Sequence, residues 1–263
     1  MTKNELLKKI EEAQASGAER LNLSNEGLET LPPEIGQLTK LTELNLWMNR
    51  LVELPPEIGQ LVSLRKINLG YNRLTALPPE ISQWQHLELL NLGHNQLAAL
   101  LPEIGLLGNL LALSLGHNQL AALPPEICLL TKLESLDLGC NALSSLPPGI
   151  CQLTALKRLW LDSNKLMLLP KEISELRRLT FINVRKNQLS KLPSGLFQIK
   201  SLLRGIFDGN PLASPPLSIV KQGIGATRRH LAAQERGRMP GSALRLSSSD
   251  RKAKERGTGR KRR

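Results

Sequence analysis

The chain has 263 residues, of which 41% are hydrophobic and only 3% aromatic, and its formal net charge is +12. No apolar run reaches the roughly 18 residues that a membrane span needs, and Lys3, Glu5, Lys8 and Lys9 occupy the N-terminus where a secretory signal would place an apolar stretch. Cysteines are odd in number (Cys128, Cys140, Cys151) and form no terminal cluster, which argues for reduced thiols in a cytosolic setting.

In chain order, Leu6, Leu7, Ile10 and Ala13 recur at helical spacing, predicting a helix over 4–15 that ends at Ser16-Gly17. A first strand over 20–23 follows. Glu26 and Ala18 depart from the pattern of the later strands, as expected of a terminal unit. From LTELNLWMN at 41–49 onward the sequence repeats every 23 residues, restarting at Leu64, Leu87, Leu110, Leu133, Leu156 and Leu179. A period of this length with L-x-x-L-x-L-x-x-N-x-L is the mark of a leucine-rich repeat. The L-x-L alternation is a strand with leucines inward, and the asparagine three residues on can bond the backbone of the turning chain. One unit buries too little apolar surface to stand alone, so neighbours must stack into a solenoid.

Nine strands are expected, the last over 204–207 with Gly205 in an inward leucine's place, predicting a short or distorted strand. The asparagines run from Asn49 through Asn72, Asn95, Asn118, Asn141, Asn164 and Asn187 to Asn210. Between strands, Pro-Pro-Glu-Ile segments set a convex side of turns and short helical pieces, because proline cannot join a strand ladder. Their acid row, Glu34, Glu57, Glu80, Glu103 and Glu126, reads as a solvated rim.

After Asn210 the chain changes character. Pro215-Pro216 can start a capping helix through Leu217, Ile219, Val220, Ile224 and Leu231, with Gly223 and Gly225 against it. From Arg236 the composition reads as disorder. Residues 228–263 hold 13 Lys/Arg against Glu235, Asp250 and Glu255, a net +10, so residues 1–227 carry only +2. The tail has three readings: a solvated segment, non-specific attraction to nucleic acid or anionic lipid, and a nuclear address if the source is eukaryotic. No aromatic is interleaved, so base stacking is unsupported.

The segments LPPEIGQLTKL, LPPEIGQLVSL and LPPEISQWQHL resemble the intracellular L-P-x-x-I-x-x-L repeat type of Ras-scaffold, plant Ras-group and many bacterial proteins. Residues 4–17 are similar to the leading helix of the bacterial versions, and GNPLASPP at 209–216 resembles the segment closing the array in Roco-type GTPases. The period and the resemblance, over residues 1–234, imply an α/β solenoid of horseshoe form: a cap over 1–17, repeats over 18–212 and a capping helix over 213–235, followed by the tail over 236–263 that its composition marks as disordered. It also implies a cytoplasmic signalling scaffold whose protein partner is of the small-GTPase or phosphatase kind. No Gly-x-x-x-x-Gly-Lys-Ser/Thr loop, Gly-x-Ser-x-Gly elbow or His-Glu-x-x-His occurs, so neither nucleotide hydrolysis nor other catalysis is expected, and no cofactor.

Period alignment places candidate partner-binding residues on the concave face. One anchor combines Trp47, Met48 and Tyr71 with Arg50, Arg65, Lys66 and Arg73; a second combines Trp160 and Phe181 with Lys157, Arg158, Arg185 and Lys186. Exposed Trp, Tyr and Arg dominate binding hot spots, and basic rims favour an acidic partner. Five strand steps put Trp47 and Trp160 about 24 Å apart. Packing on neighbouring strands is the competing role for both tryptophans. His94 and His117, equivalent in adjacent repeats, should lie side by side about 5 Å apart. With only Cys140 as a third ligand they predict solvated or partner-contacting rings and no metal site. Cys128 and Cys151 read as small buried fillers. Alternative readings are a regulatory relative of a Roco-type GTPase, and a tether acting through its basic tail.

Overall fold

The computed structural model describes residues 1–238; the basic run at 250–263 and the rest of the expected disordered tail beyond residue 238 lie outside them. Nine strands form one parallel sheet in sequence order. They are β1 Arg20–Asn22, β2 Glu43–Asn45, β3 Lys66–Asn68, β4 Leu89–Asn91, β5 Ala112–Ser114, β6 Ser135–Asp137, β7 Arg158–Trp160, β8 Phe181–Asn183 and β9 Arg204–Ile206. Each strand pairs with the next in a register of one whole repeat, as in Leu21 with Leu44 and Leu44 with Ile67. Only the central residue of each strand points inward. Aliphatic side chains from every repeat join one continuous core, and each fully buried leucine contributes about 1.5–3 kcal/mol.

Seven 3₁₀ turns, from Pro33–Gln37 to Lys171–Glu175, cover the convex side, six of them opening with proline where the missing N–H has no partner to lose. Their glutamates are not the solvated rim that the sequence suggests. Gly36, Gly59 and Gly105 leave room for the glutamate of the following repeat; a Cβ on Gly59 would lie 2.6 Å from the Glu80 Cβ. Glu57, Glu80 and Glu126 are therefore half-buried, as is Glu103 beside Ser82's repeat, while Glu34 at the start of the row stays exposed; one carboxylate oxygen each of Glu80 and Glu126 is sealed from solvent. Trp84 stands where other repeats carry leucine. It is wholly buried, and its indole N–H donates to the Ile58 carbonyl at 3.0 Å.

The buried asparagines stitch the repeats together. Asn118 Nδ2 donates to Leu115 O and, one repeat back, to Leu92 O, each at 3.0 Å, while its Oδ1 accepts from Leu97 N at 3.0 Å. The same pattern recurs at Asn72, Asn95, Asn164 and Asn187.

Both ends are covered. The first helix, α1 (Lys3–Ser16), opens with a capping box between Thr2 and Glu5, buries Leu6, Ile10 and Ala13, and stops at Gly17 with φ 62°. At the other end the last convex segment becomes a short helix, α2 (Ser194–Gln198). In place of one helix after Pro216 the structure has two, α3 (Leu217–Val220) and α4 (Ile224–Arg238), separated by Gly223 at φ 96°. Strand β9 is neither short nor distorted: it keeps the common length and register, because the Phe207 ring fills the space that Gly205 vacates. The Arg228 guanidinium donates to Phe197 O, at the end of α2, at 2.8 Å, and to Ile199 O and Leu202 O in the turn that follows. No helix among the described residues is long and apolar enough to cross a membrane.

Two substitutions test this frame by urea denaturation. Asn118→Ala strands three buried backbone groups and is expected to cost about 3 kcal/mol, against under about 0.5 for exposed Gln119→Ala. Equal midpoints for the two variants would refute the stitching role. Trp84→Ala should cost about 3–5 kcal/mol.

Candidate functional site

The outward residues of each strand form two columns on the concave face. Arg20, Glu43, Lys66, Leu89, Ala112, Ser135, Arg158, Phe181 and Arg204 make the first; Asn22, Asn45, Asn68, Asn91, Ser114, Asp137, Trp160, Asn183 and Ile206 make the second. A groove of about 670 Å³ runs over them from Arg20 to Trp160. The second column is not simply free for a partner. Asn45 Oδ1 accepts from Trp47 N at 3.1 Å, and Asn68, Asn91 and Asp137 accept in the same way two residues on. These side chains cap the strand exits. Beyond them, Gly116 and Gly139 leave room for the next repeat's aspartate: a Cβ at either would lie 3.0 Å from an oxygen of Asp137 or Asp162.

Past each strand the chain turns through a residue with left-handed backbone: Asn25, Met48, Tyr71, His94, His117, Cys140, Ser163 and Lys186, with φ of 53–58°. Eight non-glycine residues at this conformation are tolerated because the neighbouring repeats hold each in the same hydrogen bonds, as His94 N does to Gly116 O at 2.8 Å. The repeated conformation projects equivalent side chains outward in register.

The consequence is a ladder of rings along one edge of the groove. Trp47 meets Tyr71 edge-on at 5.6 Å, Tyr71 stacks on His94 at 3.9 Å and His94 on His117 at 4.0 Å. The histidines are thus closer than strand spacing predicts, because their rings lean flat on each other, and they extend the aromatic anchor without a break. Trp47 and Tyr71 are 37% and 47% exposed, Met48 47%. Arg50 faces Glu29 at 3.9 Å, and Arg73 is exposed. Burial holds His94 below the usual imidazole range; a charge on His117 adds to this and Asp137 opposes it. Burial in turn raises Asp137, and Asp162 raises it further, against the Gly139 N–H and the two histidines.

At the second anchor Trp160 and Phe181 lie 5.3 Å apart, with the Arg158 guanidinium 5.9 Å over the indole. Arg204, absent from the sequence-based set, lies 6.0 Å over Phe181. Arg185 sits past β8, exposed, and joins neither ring. Sequence reading also missed Leu89 on the groove floor, and the cross-repeat pairs Arg20–Glu43 (3.4 Å), Arg65–Glu88 (2.6 Å) and Lys157–Glu134 (2.7 Å). All three recur at the 23-residue period, a signal that alignment of charges would have exposed.

Among the described residues no group of three or more His, Cys, Asp or Glu side chains is placed to hold a metal ion. Cys128 and Cys151 are buried on the convex side, where burial raises both thiols, Cys151 to about 11. Cys140 is half-exposed beside the ladder.

Thiol alkylation at pH 8 in native buffer should therefore modify Cys140 first and leave Cys128 and Cys151 protected until unfolding; fast labelling of all three would contradict their burial. In an NMR titration His94 should titrate below 6.5, and His117→Gln should move its pKa upward. The unfolded chain then binds more protons below pH 6.5, so the ladder loses stability as pH falls through that range. An unmoved His94 would rule out the coupling.

The family described as leucine rich repeat matches residues 39–97 and 131–189. Among solved structures, an LRR protein of Leptospira interrogans is 45% identical with a TM-score of 0.72, over 74% of this chain and 50% of its own. The plant peptide hormone receptor RGFR1, solved in complex with RGF2, is 30% identical with a TM-score of 0.66, over 73% of this chain and 32% of its own. The ectodomain of the Arabidopsis thaliana receptor kinase GASSHO1/SCHENGEN3, in complex with CASPARIAN STRIP INTEGRITY FACTOR 2, is 32% identical with a TM-score of 0.63, over 69% and 23%. The chain thus spans half the length of the bacterial structure and a third or less of these plant receptors. No curated protein is significantly similar to it. With the repeat period, the open parallel sheet and the asparagine stitching already in place, these matches show that the chain carries leucine-rich repeats and has their fold.

Proposed function

We propose that the chain is a non-enzymatic interaction module that holds a protein partner against its concave groove and aromatic edge. The observation that carries this reading is the unbroken ladder Trp47–Tyr71–His94–His117, whose rings are fixed by one another yet keep exposed edges. Rings already locked by stacking lose little rotamer freedom on binding, so more of their contact energy reaches the complex. Stacking between repeats stabilises the array too, but that role alone does not require Trp47, Met48 and Tyr71 to face solvent. Arg158, Trp160 and Phe181 supply a second contact at the far end of the groove. Service as a cytoplasmic signalling scaffold belongs to the same proposal and is supported by the repeat type and the free thiols. A small GTPase or phosphatase as partner is supported by the resemblance in repeat type. The polypeptide-bound plant receptors support a protein or peptide ligand.

A pull-down from native lysate tests the reading with the wild type, a Trp47→Ala/Trp160→Ala variant and a chain ending at Arg238. Retention of a protein by the truncated chain, with at least tenfold loss in the double variant, is the expected result. Recovery that follows residues 239–263 and fades with salt, whatever the tryptophans do, would replace this reading with the tether.

A further inference from the structure

The two anchors differ in charge, and the difference runs through the whole solenoid. Residues 1–155 carry 10 Lys/Arg against 16 Asp/Glu, a net −6, whereas residues 156–227 carry 12 against 4, a net +8. The sum near zero hides a strong axial polarity. Pairing sharpens it. Near the first anchor Arg20, Arg50 and Arg65 each face a glutamate, at 3.4, 3.9 and 2.6 Å. Among the described residues Arg73 there makes no ion pair, and near the second anchor Arg185 and Arg204 are exposed and make none, while Arg158 adds to the Lys157 charge that holds the Glu134 carboxyl low. Two of these guanidiniums lie over Trp160 and Phe181, so apolar ring and cation are offered together on the concave face of β7 to β9.

The geometry points to an acidic polypeptide segment as the occupant of the last three repeats, so that an elongated partner lies in the groove in one direction. Its apolar or neutral end meets the Trp47–His117 ladder, and its carboxylates meet Arg158 and Arg204. This deepens the proposed function and rests on the concave face being the binding face. Arginine forks match carboxylates in pairs, and Arg204, with no ion pair among the described residues, gives up no carboxylate partner on binding. Axial polarity steers such a segment into one orientation before contact. A peptide fits better than a nucleic acid because Asp162 and Asp208 line the adjoining edge of the same repeats, with Asp137 on the strand just before them. A continuous phosphate backbone would meet those carboxylates, whereas a peptide can place its charges on the arginine column alone.

The test is fluorescence anisotropy on the full chain at low salt with three labelled probes: deca-glutamate, deca-glutamine and a fifteen-nucleotide oligothymidylate. Deca-glutamate should bind at least tenfold more tightly than deca-glutamine. Arg158→Gln/Arg204→Gln should weaken it about tenfold or more, while Lys261→Gln/Arg262→Gln/Arg263→Gln changes it less than threefold. A quencher-labelled deca-glutamate should dim tryptophan emission in the wild type and much less in Trp160→Phe. The inference fails if deca-glutamate does not bind, if binding follows the terminal charges, or if the oligonucleotide binds more tightly through Arg158 and Arg204. If it fails while the tryptophan-dependent pull-down persists, only the partner's acidity and orientation are wrong. Loss of both removes the concave-face reading.

Discussion

The structure depends on a buried amide that has no partner within its own strand. Each interior asparagine donates to a carbonyl of its own turn and to one in the repeat before, and accepts an N–H from that same neighbour. Turning the chain out of a parallel strand every 23 residues strands backbone groups in a dry interior, where an unsatisfied donor or acceptor costs about 1–3 kcal/mol. The asparagine removes that cost and, by reaching back one repeat, makes each unit's satisfaction conditional on its neighbour. Leucine supplies most of the burial energy, but the asparagine sets the register in which leucines meet.

That register has a consequence on the outer edge. Once the turn is fixed, the residue before each asparagine takes left-handed backbone, and its side chain leaves the turn in the same direction in every repeat. Where those residues are Tyr71, His94 and His117, their rings stack at 3.9 and 4.0 Å. The binding edge is thus a by-product of the device that holds the core. A side chain there can change without disturbing the asparagine network, which suits a scaffold that presents different residues on a constant frame. The concave columns are more constrained, because Asn45, Asn68, Asn91 and Asp137 are occupied in closing strand exits.

Both ends of the array show how the frame is terminated. At the start, Leu6, Ile10 and Ala13 of α1 cover the first repeat. At the finish, Phe207 moves its ring into the space of a missing leucine, and Arg228 donates to carbonyls of α2 and the turn that follows. A solenoid has two open faces, and each is closed by burial together with a directed hydrogen bond or cap.

The sequence by itself determined the repeat, the nine strands, the inward leucines and the stitching asparagines, because all of these are periodic and a period can be read without coordinates. It also placed Trp47, Tyr71, His94, His117, Trp160 and Phe181 on outward positions. Only the tertiary structure decided what those positions do. The left-handed turns join a tryptophan anchor and a histidine pair into one ladder, the strand-exit bonds take the asparagines and Asp137 of the second concave column out of free use but leave Trp160, and Gly205 proves harmless because Phe207 lies beside it. Such outcomes depend on distances between side chains of different repeats. Alignment by period names the neighbours, but it does not say whether two rings stack, whether an arginine is paired, or whether a glutamate is half-buried against a glycine one turn away.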